Sequence, residues 1–167
     1  MIYDKCMNVI SRRQFADMLV ETRIRPAIIR DLRFVPEELH DWDDRDFLAV
    51  TNRSRSEGVL VAPFERTYVV AFRLQKRNAN NSGRVEAIIC DICATWQRGS
   101  NSAIISFIRG DKSSVSFLCC ADLACSLHVR DKTAAAVLSR MQLRENTTVE
   151  KRIKRLHVRL EAILHRL

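Results

Sequence analysis

The chain has 167 residues, 47% of them apolar, with 4 Gly and 3 Pro, which suits one domain and excludes a collagen-like or disordered chain. Lys and Arg number 28 against 20 Asp and Glu, a formal charge of +8 that favours acidic partners and decides nothing about fold. The apolar runs, such as Gly58–Phe64 and Ala103–Ile108, fall far short of the roughly 20 residues of a membrane span.

Ser11 is placed to cap a helix from about Arg12, with Phe15, Met18 and Leu19 on one face, ending before Pro26. Residues 1–40 are thus expected to form an N-terminal helical segment. The acidic stretch Asp41-Trp42-Asp43-Asp44-Arg45-Asp46 reads as solvated surface, with Trp42 and Phe47 anchoring it to the core. Phe47–Val50 starts a strand. Gly58–Leu74 reads as two strands joined through Pro63–Arg66, and Val85–Ile89 as a short strand. Ala103–Ile108 and Ser114–Leu118 are strands of a hairpin, turned by Arg109-Gly110-Asp111-Lys112-Ser113. From Ala121 the pattern turns helical. In the last segment Val149, Ile153, Leu156, Leu160, Ile163 and Leu167 form one apolar stripe behind a Thr147 or Thr148 cap, with Glu150 in the first turn. Under three heptads is short for an independent coiled coil, so this helix, spanning 148–167, is expected to fold back onto the sheet. His157 and His165 lie on its basic side and are expected at the surface.

Six cysteines are present, and five of them, Cys90, Cys93, Cys119, Cys120 and Cys125, lie close together. The opening residues are too short and mixed for a signal peptide, which predicts a cytoplasmic chain with reduced thiols. Clustered cysteines then point to a metal. Cys90-Asp91-Ile92-Cys93 is a knuckle whose sulfurs converge on one ion, and Cys119 or Cys120, with Cys125, completes a tetrahedron after the hairpin. Neighbouring side chains on a strand point opposite ways, so only one of Cys119 and Cys120 is expected to ligate. Knuckle, hairpin and helix over 84–132 make the layout of a treble clef. Four thiolates leave zinc no open position, so one structural Zn²⁺ is expected. A thioredoxin-like redox pair would need a βαβ unit, and none follows. Cys6 reads as a plain thiol.

No pattern for nucleophilic catalysis or phosphate cradling is present: there is no G-x-S-x-G, no Cys/His signature and no Gly-rich loop. The hairpin holds no histidine, which argues against an HNH-type nuclease. The chain is therefore read as non-enzymatic. RNA or ribosome binding through the zinc module is the rival reading. Arg73, Lys76, Arg77, Arg84, Arg98, Arg109, Lys112, Arg130 and Lys132 surround the module, and Trp96 is available for stacking.

The cysteine pairs together with Phe117-Leu118-Cys119-Cys120-Ala121-Asp122-Leu123-Ala124-Cys125-Ser126-Leu127 resemble the carboxy-terminal zinc domain of the elongation factor G-binding proteins, the FusB-type fusidic acid resistance proteins and their small relatives. Ser126–Lys132, Trp42–Leu48 and Thr148–Leu160 extend the resemblance from about Asp41 to the end. Resistance members carry a helical bundle ahead of the zinc domain, where this chain has forty residues before Asp41. The resemblance implies a single α+β domain over 1–167, a small antiparallel sheet with a treble-clef zinc finger. It also implies C-x5-C spacing in the second pair, hence Cys90, Cys93, Cys119 and Cys125 as ligands. It further implies docking on elongation factor G and modulation of the factor's release from the ribosome. Trp96, Arg98, Lys112, Phe117, Arg130 and Lys132 flank the zinc hairpin and are the expected partner-facing residues.

Overall fold

The computed structural model describes residues 7–110 and 113–167. Cys6 and Lys112 lie outside the described residues. Five antiparallel strands form the main sheet: β1 (Leu48–Thr51), β2 (Glu57–Pro63), β3 (Thr67–Lys76), β6 (Ser102–Arg109) and β7 (Ser113–Cys120), in the order β1-β2-β3-β6-β7. Two short strands, β4 (Ile88–Ile89) and β5 (Trp96–Gln97), pair separately and carry the first cysteine knuckle between them. The expected strand over 85–89 is cut to its last two residues, because its partner β5 offers only Trp96 and Gln97 for pairing.

The register explains the two faces. Phe72 lies opposite Phe107, Leu74 opposite Ile105, and Ile105 opposite Phe117, so alternation puts these on one side together with Leu60, Ala62 and Ala103. Helix α5 (Val149–Leu164) covers this side with Leu156, Leu160, Ile163 and Leu164. Gly58 allows the crowding there: a Cβ at this position would sit 2.4 Å from the Val50 carbonyl oxygen and 2.7 Å from the Phe72 ring. The other side presents Leu48, Val50, Val59, Val61 and Ala71 to α1 (Arg12–Val20) and α2 (Pro26–Asp31), which bring Phe15, Leu19 and Ile28. Trp42 joins this second cluster and Phe47 the first, as anchors for the acidic stretch.

Helix α1 starts as its sequence dictates. Ser11 Oγ accepts from the Gln14 backbone N–H at 3.2 Å, and Gln14 Oε1 accepts from the Ser11 N–H at 2.8 Å, a reciprocal capping box. Ser11→Ala is expected to cost about 1 kcal/mol, read as a lowered urea midpoint. After β7 the chain forms α3 (Cys125–Val129) and α4 (Ala134–Leu143), broken at Asp131 with φ of 59° and restarted by the Thr133 cap on Ala136 N–H. Thr148 caps α5 by accepting from Lys151 N–H. The α5 stripe packs inward as its periodicity predicts, but its basic side is not all outside. Arg152 is buried; it donates to the carbonyls of Val129 and Thr147 and to Asp131, and so ties α5 to α3 and its flanking loops. Among the described residues no helix is long and apolar enough to cross a membrane.

Candidate metal centre

The first half of the centre is built by a tight turn. Ala94 N–H donates to Cys90 O at 2.8 Å, and Cys93 N–H points at Cys90 Sγ at 3.5 Å. Ala94 takes a left-handed φ of 57° to close the turn and return the chain to β5. Asp91 clamps the turn to the edge of the main sheet: its N–H donates to Leu118 O at 2.8 Å, and its Oδ2 accepts from Leu118 N–H at 2.7 Å.

The second half comes from the end of β7 and the start of α3. Leu123, at φ 57°, donates to Cys120 O, and Asp122 Oδ1 accepts from Ala124 N–H. This turn places Cys125 as the first residue of α3, opposite Cys120. All four cysteines, 90, 93, 120 and 125, are fully buried.

Their sulfurs are placed for one ion. Cys90 and Cys125 are 3.8 Å apart, Cys93 and Cys120 are 3.6 Å apart, and Cys120 and Cys125 are 3.8 Å apart. All four lie within 4.8 Å of one another. A tetrahedron with Zn–S bonds of about 2.3 Å has edges of about 3.8 Å. The donor set therefore fits a single structural zinc with no open coordination position. Hydrogen bonds support the thiolates. Thr95 Oγ1 lies 2.9 Å from Cys93 Sγ, and because it accepts from Gln97 Nε2 at 2.8 Å its own proton is directed at the sulfur.

The structure corrects one expected ligand. Cys120, not Cys119, joins Cys90, Cys93 and Cys125, so the second pair is spaced C-x4-C and not C-x5-C. Strand alternation is the reason. Cys119 lies opposite Ala103 and shares the face of Ile105 and Phe117, turned into the core under α5. Cys120 lies opposite Ser102 and is aimed at the knuckle. Burial, with the neighbouring charge of Cys90 and Cys93, pushes the Cys119 thiol up, so it packs as a neutral side chain.

Two polar groups brace the centre. His128 is buried with Nε2 at 3.2 Å from Asp122 Oδ1 and Nδ1 at 2.7 Å from Thr133 Oγ1. The carboxylate only accepts, so Nε2–H donates to Asp122, while Nδ1 bonds the Thr133 hydroxyl. The loop between the last two ligands is thereby joined to α3 and the start of α4. The second group is Asp46. Its two oxygens accept from Arg130 at 2.6 and 2.9 Å, Oδ1 also accepts from His157 at 2.7 Å, and its N–H donates to Ser126 Oγ at 3.0 Å. Burial would raise this carboxyl, but the bonds from His157 and Arg130 hold it below the usual Asp value. Neither Asp46 nor His157 lies at the surface as the sequence suggested. Both are buried, and they join the acidic stretch to α3 and α5.

The expected partner-facing residues separate into different environments. Trp96 is half-buried and lines a pocket of about 310 Å³ with Arg98, Ala134 and Leu138. Arg98 is exposed. Phe117 leans on Phe107, with ring centroids 6.2 Å apart, and belongs to the sheet core. The Arg130 side chain is 9% exposed and bound to Asp46, so its geometry is that of a structural cation. Lys132 pairs with Asp44 and remains half exposed. The cues that find Asp46 and Arg130 are spatial, since the partners are 84 residues apart in the chain.

The family model described as the FBP C-terminal treble-clef zinc-finger matches residues 31–167. No curated protein and no solved structure shows significant similarity to the chain.

Proposed function

Because the chain belongs to the FBP C-terminal treble-clef zinc-finger family, we propose that it binds elongation factor G through its zinc module and modulates the factor's release from the ribosome, without enzymatic chemistry. The supporting observation is the family match over 31–167, which contains the whole zinc centre and α5. The zinc holds β5, β7 and α3 in fixed relation, so the surface beside it is rigid. The pocket between β5 and α4, lined by Trp96, Ala134, Ala135 and Leu138 with Arg98 beside them, supplies an anchor for a protein partner. The surplus of positive charge suits an acidic protein surface.

Titration against purified, RNA-free elongation factor G tests this. Saturable binding is expected, and Trp96→Ala should weaken it by about 1–3 kcal/mol, more than most exposed lysine changes. Salt should slow association more than it speeds dissociation, because rim charges steer while the apolar centre holds. No binding to the factor, beside RNA affinity that falls linearly with salt in log–log form, would instead make the chain an RNA- or ribosome-binding module.

A further inference from the structure

A second concave site lies on the far side of the zinc loop. A cleft of about 400 Å³ opens between residues 33–39, the edge strand β1 and the loop at 122–124. Four arginines line it, Arg33, Arg45, Arg53 and Arg55, against two carboxylates, Glu38 and Asp122. Asp122 is occupied by Asn101 and His128, and Arg45 is held by Asp41 in a two-pronged pair at 2.9 and 2.8 Å. Arg33 has only a loose pair with exposed Glu38, at 3.6 Å.

The other two cations sit on a stiff turn. Asn52 Oδ1 accepts from Ser54 Oγ at 3.1 Å, Ser56 N–H at 3.0 Å and Glu57 N–H at 3.4 Å, and Asn52 O accepts from Arg55 N–H at 3.0 Å. Arg55, at φ 57°, donates from Nη2 to the carbonyls of Ala121 and Asp122 at 3.3 and 3.2 Å. Arg53 is exposed and makes no ion pair among the described residues. Arg33 is fixed at its backbone, where its N–H donates to Thr51 O at 3.0 Å. Three arginines therefore line one cleft from backbone positions already set, Arg53 with no ion pair among the described residues, Arg33 with only its loose pair and Arg55 anchored on the zinc loop.

We propose that this cleft is a phosphate-binding site, with Arg33, Arg53 and Arg55 as the anion-binding side chains. Several arginines along one cleft match a multiply charged group with three acceptor oxygens better than a single carboxylate. The volume takes a group of nucleotide size. The phosphate belongs either to a small phosphorylated molecule or to an RNA strand. The site is separate from the β5–α4 pocket and does not depend on elongation factor G binding.

Calorimetric titration with inorganic pyrophosphate tests the site, using the full chain with zinc bound. Saturable binding is expected, weakened about tenfold or more by Arg53→Glu and by Arg33→Glu, and unchanged by Lys154→Glu, an exposed cation on α5. A ten-nucleotide single-stranded RNA in a parallel titration separates the sources. Tighter binding than pyrophosphate, with the same loss in Arg53→Glu, assigns the phosphate to a strand; equal or weaker binding assigns it to a small molecule. Far-ultraviolet circular dichroism of each variant confirms that the fold is retained. Absence of pyrophosphate and RNA binding, equal loss in Lys154→Glu, or binding of polyglutamate without pyrophosphate would each overturn the proposal. Arg53→Glu should leave elongation factor G binding intact, so the two readings fail separately.

Discussion

Cys120→Ser is expected to abolish zinc binding and unfold the protein, while Cys119→Ser keeps one zinc per chain and stays folded. Removing Cys120 takes one of four buried sulfurs from the cluster and leaves the other three thiols, all without solvent, to share an incomplete site. Structural zinc contributes an apparent binding free energy of about 10–16 kcal/mol in small modules. The net stability of a domain is about 5–15 kcal/mol. Losing the ion therefore removes a quantity as large as the whole margin. Cys119 makes no contribution to the cluster, and its change to Ser only buries a hydroxyl, at about 1–3 kcal/mol. Elemental analysis gives the zinc content and circular dichroism the folded fraction. The reverse pattern, with zinc lost in Cys119→Ser and kept in Cys120→Ser, would show that β7 is shifted by one residue against β6.

Asp46→Asn is the second large effect, expected to cost about 3–5 kcal/mol at pH 7. The change keeps the shape and removes the charge, so Arg130 stays buried opposite an amide. Only the carboxylate can accept both Arg130 bonds and the His157 bond together. The pH dependence has a definite sign. The folded pKa of Asp46 is depressed, so its contribution is complete above the unfolded value of about 3.9 and is lost as pH falls through the lower folded value. Urea unfolding at pH 7 should thus separate the two proteins widely. The gap should begin to narrow below about pH 4, where the unfolded carboxyl takes up its proton, and close as pH falls through the lower folded value. An equal gap at both pH values would remove the charge of Asp46 as the cause.

Much of the fold was legible because it rests on local pattern. The Ser11 cap, the hairpin strands and the α5 stripe depend on residues within one or two turns of each other, and each formed where periodicity placed it. The CxxC knuckle was legible for the same reason, since its geometry is contained in four residues. Which of Cys119 and Cys120 turns to the metal was not. Alternation says that the two differ, but which face of β7 meets α5 is decided by the partner strand and by a helix thirty residues further on. Asp46 and His157 looked like surface residues because their neighbours in sequence are charged. What buries them is each other and Arg130, brought together from residues 84 and 111 positions away. The pattern that turns helical from Ala121 does not show where the helices start and stop: α3 begins only at Cys125, and Asp131 in the left-handed region separates it from α4.

The span of these links sets an order of events as the chain leaves the ribosome. The four sulfurs come from residues 90 to 125, and the β6–β7 hairpin between them is local, so the metal can be captured once Cys125 has emerged. Asp46 is synthesised early and meets Arg130 only after this point, and His157 later still. At about 5–20 residues per second, several seconds separate Asp46 from its last partner. Once Phe107 has been made, the sheet face of Phe72, Ile105 and Phe107 has no cover until Leu156, Leu160 and Leu164 arrive with α5. The carboxy-terminal helix therefore acts as the closing element of the fold, and a nascent chain stalled before Val149 would hold its metal while still presenting that face to chaperones.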